Sequence, residues 1–148
     1  MKGGRDSMNH YEGEAKARST AFIQAAVICL SMQLSRPEVR GVNLDVQTRC
    51  AHYTTALDII AIKMKCCGEY YACKDCHEEQ AGHTIQVWPQ NEWSTPAILC
   101  GNCNAELTIN EYLASNSSCP NCSAHFNPRC SNHHHFYFDM PAPAAQPR

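Results

Sequence analysis

Cysteine and histidine residues spaced for metal binding dominate the middle of this chain. The sequence of 148 residues contains 11 Cys and 8 His. Thiolates and imidazoles are the ligands that zinc prefers, and a structural zinc site takes four of them in a tetrahedron. Twelve residues suit this role: Cys50, His52, Cys66, Cys67, Cys73, Cys76, His77, His83, Cys100, Cys103, Cys119 and Cys122. Because twelve ligands divide evenly into closed sites of four, the sequence predicts three Zn²⁺ ions.

Two Cys-x-x-Cys pairs, Cys100–Cys103 and Cys119–Cys122, give the most specific metal signal. Fifteen residues separate the pairs, which is the spacing of a zinc ribbon or a related site. A spacer of two residues lets the chain turn tightly enough for both thiolates to reach one ion. Between the pairs, Thr108 and Glu111 form a capping-box pattern that predicts a short helix. We therefore expect the domain to end in a zinc-ribbon-like unit.

The eight upstream ligands leave their pairing open. Cys66 and Cys67 are adjacent, and adjacent side chains of an extended chain point in different directions. These cysteines therefore bind either two different ions or one ion through a distorted turn. We favour both arrangements over a shared site with relaxed geometry. The segments on either side, residues 57–65 and 69–71, are rich in β-branched or aromatic residues, and they predict a hairpin with the cysteines at its turn.

A secondary group of histidines and one cysteine follows the last Cys-x-x-Cys pair. Asn127 and Pro128 are typical of a helix start, with the asparagine as cap and the proline in the first turn. Such a helix places Cys130 on one face with His133 or His134. The group is a candidate for a fourth metal ion; alternatively, its members pack around the last pair. The candidate ligands are His125, Cys130, His133 and His135.

A disulfide framework is the main alternative to zinc. It leaves the interleaved histidines unexplained, and the sequence has no clear secretion signal. A redox-active pair at Cys73 and Cys76 is a second alternative, but thioredoxin-like chemistry requires a βαβ setting that the pattern lacks. The spacing of the cysteines and histidines favours metal over both.

Composition excludes several classes of function. The formal net charge is −2, and nine thiolates bound to three divalent ions would lower it further, so we expect no nucleic-acid binding. The longest apolar stretch, residues 21–32, is too short to cross a bilayer. Sites closed by four protein ligands leave no position for an activated water, so we expect no enzymatic activity. We expect a monomer that binds a protein partner.

The sequence predicts a small, irregular α+β fold, stabilised by metal, with short hairpins and helices around three zinc sites. Residues 1–40 form an N-terminal extension, poorly ordered or a short helix, in which Cys29 is an apolar residue rather than a ligand. Residues 41–138 form the zinc-binding domain, and the Pro/Ala-rich residues 139–148 form a disordered tail. Trp88 and Trp93 either belong to an exposed surface for a partner or cover the small core.

From Cys50-Ala-His52-Tyr53 to the last Cys-x-x-Cys pair, the chain resembles the CHY-type zinc finger family, which is named for its Cys-x-His-Tyr opening. The resemblance covers about residues 40–138 and all twelve ligand positions in order. It implies three zinc ions and a compact fold of short strands and helices. Larger members carry the module ahead of a RING domain in ubiquitin ligases. The chain ends soon after the module, so we do not expect ligase activity.

Stand-alone members of the family include a mitochondrial assembly factor linked to zinc handling during oxidative import. The resemblance therefore implies two hypotheses for this chain. The first is a zinc-binding protein whose structural zinc finger module acts through protein–protein interaction. The second is a zinc or thiol handling factor that assists oxidative protein import or assembly in mitochondria. The corresponding locations are intracellular, in the cytoplasm or the mitochondrial intermembrane space.

Overall fold

A computed structural model describes residues 36–143 of the chain. The expectations for the N-terminal extension up to residue 35, for Cys29 and for residues 144–148 lie outside this range. The elements, in chain order, are β1 (Val39–Arg40), β2 (Ile60–Lys63), β3 (Tyr70–Tyr71), α1 (Lys74–Gln80), a short 3₁₀ helix (Gln90–Glu92), β4 (Pro96–Cys100), β5 (Glu106–Thr108), α2 (Ile109–Ala114) and a longer 3₁₀ helix (Pro128–Phe136). This combination confirms the predicted α+β fold.

The five strands form one mixed sheet in the order β1-β3-β2-β4-β5. Strands β1 and β3 are parallel, and the other neighbouring pairs are antiparallel. The β2–β3 pair is the hairpin predicted around Cys66 and Cys67, with Ile62 opposite Tyr71. Strand β1 lies within residues 1–40, so the sheet begins slightly upstream of the predicted domain boundary. The sheet thereby holds the cysteine turn at one end of a paired hairpin.

Alternate residues of the central strands face opposite sides of the sheet, as the two-residue period of a strand requires. Ile60 and Ile62 of β2 face the main core, together with Ile98 of β4. Ala61 and Leu99 face the other side, where they form a smaller buried cluster. The main core also contains metal-ligand candidates, namely Cys50, Cys73, Cys76, Cys100 and Cys119. The predicted ligands are therefore part of the core itself.

Helix α2 and the longer 3₁₀ helix both begin at caps that the sequence predicts. Thr108 accepts a hydrogen bond from the Glu111 backbone N–H, and the Glu111 carboxylate accepts one from the Thr108 N–H, which confirms the predicted capping box of α2. Asn127 caps the next helix by accepting from the Arg129 N–H. This second helix is a 3₁₀ helix, so its side chains repeat every three residues.

The two tryptophans cover the core. Trp88 is 7% exposed and its indole N–H donates to the Lys63 carbonyl oxygen, while Trp93 packs against the same core and donates to the Trp88 carbonyl. The hypothesis of an exposed aromatic surface at residues 87–93 is therefore wrong for Trp88, whereas Trp93 is half-buried. Val87 is the exposed large apolar residue of that segment. Within residues 36–143, no helix has the length and apolarity needed to cross a bilayer.

Candidate metal centres

Within the described range, the structure gathers all twelve predicted ligands into three groups of four. The ligand atoms within each group lie within 4.8 Å of one another. Site I contains Cys50, His52, Cys73 and Cys76; site II contains Cys66, Cys67, His77 and His83; site III contains Cys100, Cys103, Cys119 and Cys122. None of the ten described cysteines forms a disulfide, so their thiols are available for metal.

Site I joins the loop before β2 to the first turn of α1. The Cys50 and Cys73 Sγ atoms are 3.7 Å apart, and His52 Nδ1 lies 3.5 Å from the Cys73 Sγ. Cys73 caps α1, so its sulfur also accepts a hydrogen bond from the Cys76 N–H. On the far side of the imidazole, His52 Nε2 is 2.8 Å from a Glu79 carboxylate oxygen. That contact fixes the ring with Nδ1 free to bind metal.

Site II joins the hairpin turn to the middle of α1 and to the loop beyond that helix. His77 Nε2 lies 3.3 Å from the Cys66 Sγ, 3.9 Å from the Cys67 Sγ and 3.2 Å from His83 Nε2. Cys66 and Cys67 thus serve the same site through a turn closed by Gly68, whose φ is +72°. The sequence left two arrangements open. The prediction that these cysteines bind separate ions is wrong, because the structure places both at one site through a turn.

Site III consists of two turns with the same backbone geometry. In each, the residue after the second cysteine has a positive φ, 62° at Asn104 and 64° at Ser123, and its N–H donates to the carbonyl of the first cysteine at 2.8 Å. The turns also exchange side-chain hydrogen bonds. Asn102 donates to the Cys122 Sγ at 3.4 Å, and Asn121 donates to the Cys103 Sγ at 3.3 Å. These donors stabilise negative charge on the sulfurs of the opposite turn.

Ligand spacing in all three groups fits a tetrahedral zinc ion. Zinc bonds of ~2.3 Å to sulfur and ~2.0 Å to nitrogen place tetrahedral ligands about 3.8 Å apart for two sulfurs and about 3.3 Å apart for two nitrogens. The observed distances are 3.8 Å for both Cys100–Cys122 and Cys103–Cys119 in site III. The two imidazole nitrogens of site II are 3.2 Å apart. The residues present therefore suit zinc.

Helix α1 supplies ligands to two different sites. Cys76 and His77 are consecutive on the helix, and consecutive helical side chains diverge by about 100°. Cys76 accordingly faces His52 in site I, with its Sγ 3.4 Å from Nδ1, whereas His77 faces the cysteine turn of site II. Both residues are fully buried. One short helix thus connects the two upstream sites, and each would help to hold its backbone in place.

The thiols differ in how readily they lose a proton. Burial raises the pKa of the Cys73 and Cys100 thiols. Burial also opposes ionisation of Cys122, but hydrogen bonds from the Asn102 side chain and the Ala124 N–H more than offset it and lower the pKa of Cys122 to about 7. Zinc binds thiolates, so loading the buried thiols must release protons.

The secondary group does not assemble into a fourth cluster of three or more ligands within residues 36–143. His125 is exposed, with Nδ1 3.1 Å from the Ser118 hydroxyl, and His135 lies against the Phe136 ring. His133 stacks on the same phenylalanine. Cys130 is half-buried and packs against the main core. The contacts of these residues are therefore with Ser118, Phe136 and the main core, and packing around the last Cys-x-x-Cys pair stays a prediction.

The residues that form hydrogen bonds to the ligands were not predicted from the sequence. Glu79, which bonds His52, lies on the exposed part of α1, and nothing in the local pattern distinguishes it from its neighbour Glu78. The paired Asn102 and Asn121 did leave a signal, since each occupies the same place in its Cys-x-x-Cys turn. That symmetry could have predicted an equivalent role for the two amides.

Comparison with known proteins agrees with this geometry. Residues 50–132 match the CHY zinc finger family. The chain is 42% identical to "Helper of Tim protein 13" of Saccharomyces cerevisiae over 72% of this chain and 94% of that protein. It is 37% identical to the protein of the same name from Kluyveromyces lactis, over 71% of this chain and 91% of the relative. An uncharacterized protein of Schizosaccharomyces pombe is 37% identical over 71% of this chain and 92% of its own length.

No solved structure matches the chain. The family match spans more than half of the sequence and includes all twelve residues of sites I to III. The chain is a zinc-binding protein that belongs to the CHY zinc finger family.

Proposed function

We propose that this chain is a structural zinc module that binds Tim proteins and assists their assembly in mitochondria, without enzymatic activity of its own. The observation that carries the proposal is the similarity to "Helper of Tim protein 13", which extends over 94% of that relative. The relative's name supplies the class of partner, and the resemblance to stand-alone members of the family supplies the mitochondrial setting. The three four-ligand groups supply the physical basis for a folded binding module.

Three zinc ions hold the module together in this proposal. Five of the nine cysteine ligands are buried members of the main core: Cys50, Cys73, Cys76, Cys100 and Cys119. Without metal, these thiols would sit beside one another with no strong bond between them. For a small domain of this kind, the free energy of zinc binding is largely the free energy of folding. Removing all zinc should therefore unfold the domain.

The closed sites support the proposed absence of enzymatic activity. Four protein ligands surround each proposed ion, so no coordination position is left for a water that could act as a nucleophile. A module of this kind contributes a stable surface instead. We propose that it acts as a monomer, so that each copy presents its own surface to a Tim protein.

The proposal is tested by replacing the relative with this chain. A Saccharomyces cerevisiae strain that lacks "Helper of Tim protein 13" would express the chain, and assembled Tim complexes from its mitochondria would be measured on native gels. We expect the chain to accumulate in the mitochondrial fraction, to co-purify with Tim proteins and to restore their assembly. Correctly located, folded protein that neither binds Tim proteins nor restores assembly would contradict the proposal.

Two cysteine variants separate the role of zinc from that of thiols in general. Cys119→Ser removes a ligand of site III and should abolish rescue, because that site can no longer hold the two turns together. Cys130→Ala removes a half-buried cysteine outside the three sites and should leave rescue intact. Native mass spectrometry should count three zinc ions in the Cys130→Ala protein and fewer after Cys119→Ser.

A zinc-handling function is the second candidate, and the exposure of site II favours it. His83 is exposed and both cysteines of this site are only partly buried, unlike the fully buried Cys50, Cys73 and Cys76 of site I. A metal at site II would be accessible to an incoming ligand while the rest of the core stayed closed.

A further inference from the structure

The three sites differ in how far solvent reaches their ligands. All three cysteines of site I are at most 4% exposed, and in site III Cys100 and Cys119 are at most 2% exposed. In site II the buried ligand is His77, while Cys66, Cys67 and His83 all reach the surface. Solvent also reaches His52 at site I and Cys103 and Cys122 at site III, but site II has the largest number of accessible ligands, three of its four. An attacking ligand must approach the ion directly, and site II is the most open of the three to that approach.

The donor sets differ in the same direction. Site III has four thiolates and site I has three, whereas site II has two thiolates and two imidazoles. A divalent ion at site II therefore forms a neutral complex, and at sites I and III it forms an anionic one. An incoming thiolate is repelled by the anionic complexes but not by the neutral one. Fewer thiolates also give zinc fewer of the soft ligands that it binds strongly.

The support behind the histidines differs as well. A metal-bound imidazole usually donates its second N–H to an acceptor, and loss of that acceptor typically lowers metal affinity ~10- to 100-fold. His52 of site I has Glu79, and His83 of site II has the Ala81 carbonyl at 2.9 Å. His77 Nδ1 is buried with no hydrogen-bond partner. Binding metal through Nε2 fixes a proton on that unpartnered atom, which weakens site II relative to site I.

The exposed ligands of site II lie beside turns in the chain and not inside a strand or helix. Cys66 and Cys67 precede Gly68, and His83 follows Gly82; both glycines have positive φ values, +72° and +67°. Neither glycine has another atom within 4 Å of the position of a β-carbon, so both turns lie in open space. His83 also lies beyond the end of α1. It can swing away from the site without disturbing that helix.

We propose that site II is the exchangeable zinc site of this protein, through which zinc passes to and from a thiol ligand of another molecule, while sites I and III keep their ions as part of the fold. The incoming thiol gives its proton to solvent and bonds to zinc as His83 Nε2 leaves as a neutral imidazole. Cys66 and Cys67 follow when further thiols arrive. No electrons are transferred. The inference rests on the proposed loading with three zinc ions.

The test follows zinc loss and thiol exposure together in the zinc-loaded chain. The protein is mixed with dimercaptosuccinate, a small dithiol chelator, and samples are desalted at intervals. Each sample is measured by native mass spectrometry and circular dichroism, and a portion is treated briefly with iodoacetamide. Peptide mass spectrometry then identifies the cysteines that were modified. We expect one zinc to leave at least about tenfold faster than the others, modification first at Cys66 and Cys67, and an unchanged dichroism spectrum at that stage.

Histidine variants give an independent readout. His83→Ala should yield a folded protein with two zinc ions, because only the peripheral site loses a ligand. The matched control, His125→Ala, removes another exposed histidine outside the three sites and should retain three ions. His83→Cys adds a third thiolate to site II and should slow release of the fast ion about tenfold or more.

Two results would overturn the inference. One is early modification at the cysteines of site I or site III, or simultaneous modification of all nine ligand cysteines. The other is loss of every zinc and of the fold in His83→Ala while His125→Ala remains intact. Either result leaves the proposed function standing if the chain still restores Tim assembly. Failure of that rescue with fast release confined to site II would contradict the proposed function alone.

Discussion

Gly101 stands where the first turn of site III approaches two other segments of the chain most closely. A β-carbon added there would lie 2.1 Å from the Gln47 carbonyl oxygen and 2.8 Å from the Ile59 carbonyl oxygen, whereas real β-carbons essentially never approach within 3.0 Å. Both obstacles are backbone atoms, so no side-chain rotation relieves the clash. The Gly101 N–H also donates to the Ile59 carbonyl at 2.6 Å. Gly101→Ala must therefore push the turn away from both segments.

Two effects contribute to the loss of folding free energy in Gly101→Ala. Overpacking a tight interior costs ~1–3 kcal/mol, and loss of a buried hydrogen bond leaves unpaired groups at a cost of ~1–3 kcal/mol. We therefore expect Gly101→Ala to destabilise the folded, zinc-loaded domain by about 2–6 kcal/mol. Because zinc binding and folding are coupled, this corresponds to roughly a 30- to 25,000-fold loss of zinc affinity at site III.

The assay compares Gly101→Ala with Gly82→Ala. Gly82 has a positive φ but open space around it, so alanine there should cost only the strain of that conformation, ~1–2 kcal/mol, and should leave site III unaffected. Denaturant unfolding gives the free energies, and chelator competition with alkylation mapping reports the affinity of site III. A Gly101→Ala protein no less stable than Gly82→Ala, with site III affinity unchanged, would refute the reasoning.

Three further predictions concern side chains around the sites. Glu79→Gln should lower zinc affinity at site I by ~10- to 100-fold in chelator competition, because the site I imidazole loses its charged acceptor, while the control Glu78→Gln should not. Hydrogen bonds from Thr108 lower the pKa of the Glu111 carboxyl. The contribution of Glu111 to stability is therefore present above the pKa of the unfolded state and is lost as the pH falls through the folded-state pKa. Glu111→Gln should remove that part of the pH dependence from acid unfolding curves. Asn102→Ala removes the hydrogen bond to the Cys122 Sγ, which helps to lower the pKa of Cys122 to about 7, so it should weaken zinc binding at site III by ~10- to 100-fold in chelator competition. Unchanged zinc affinity or an unchanged acid transition would contradict the respective prediction.

Sequence determined the ligand set because zinc chemistry is local and restrictive. Two cysteines separated by two residues must form a tight turn to share an ion. The pairs Cys100–Cys103 and Cys119–Cys122 could therefore be predicted as ligands without knowledge of the fold. The same holds for the capping box of Thr108 and Glu111, whose hydrogen bonds join residues three apart. The hairpin around Cys66 was also predictable, because its two arms are adjacent in the chain.

Tertiary structure decided which ligands share a site. Cys66 and Cys67 meet at one site because a turn brings both sulfurs to the same side, whereas Cys76 and His77 part because a helix rotates consecutive side chains away from each other. Nothing in the spacing alone separates these two cases. The same is true of Trp88, whose burial depends on where the core needs cover.

The contacts that hold the ligands in place join residues far apart in the chain. Glu79 reaches His52 across 27 residues, and Gly101 is required by contacts with Gln47 and Ile59. Such contacts depend on how separate segments pack and not on the residues beside them. The ligands are fixed by their own chemistry, but their grouping, accessibility and support arise only when β2, α1 and the two turns of site III come together around the core.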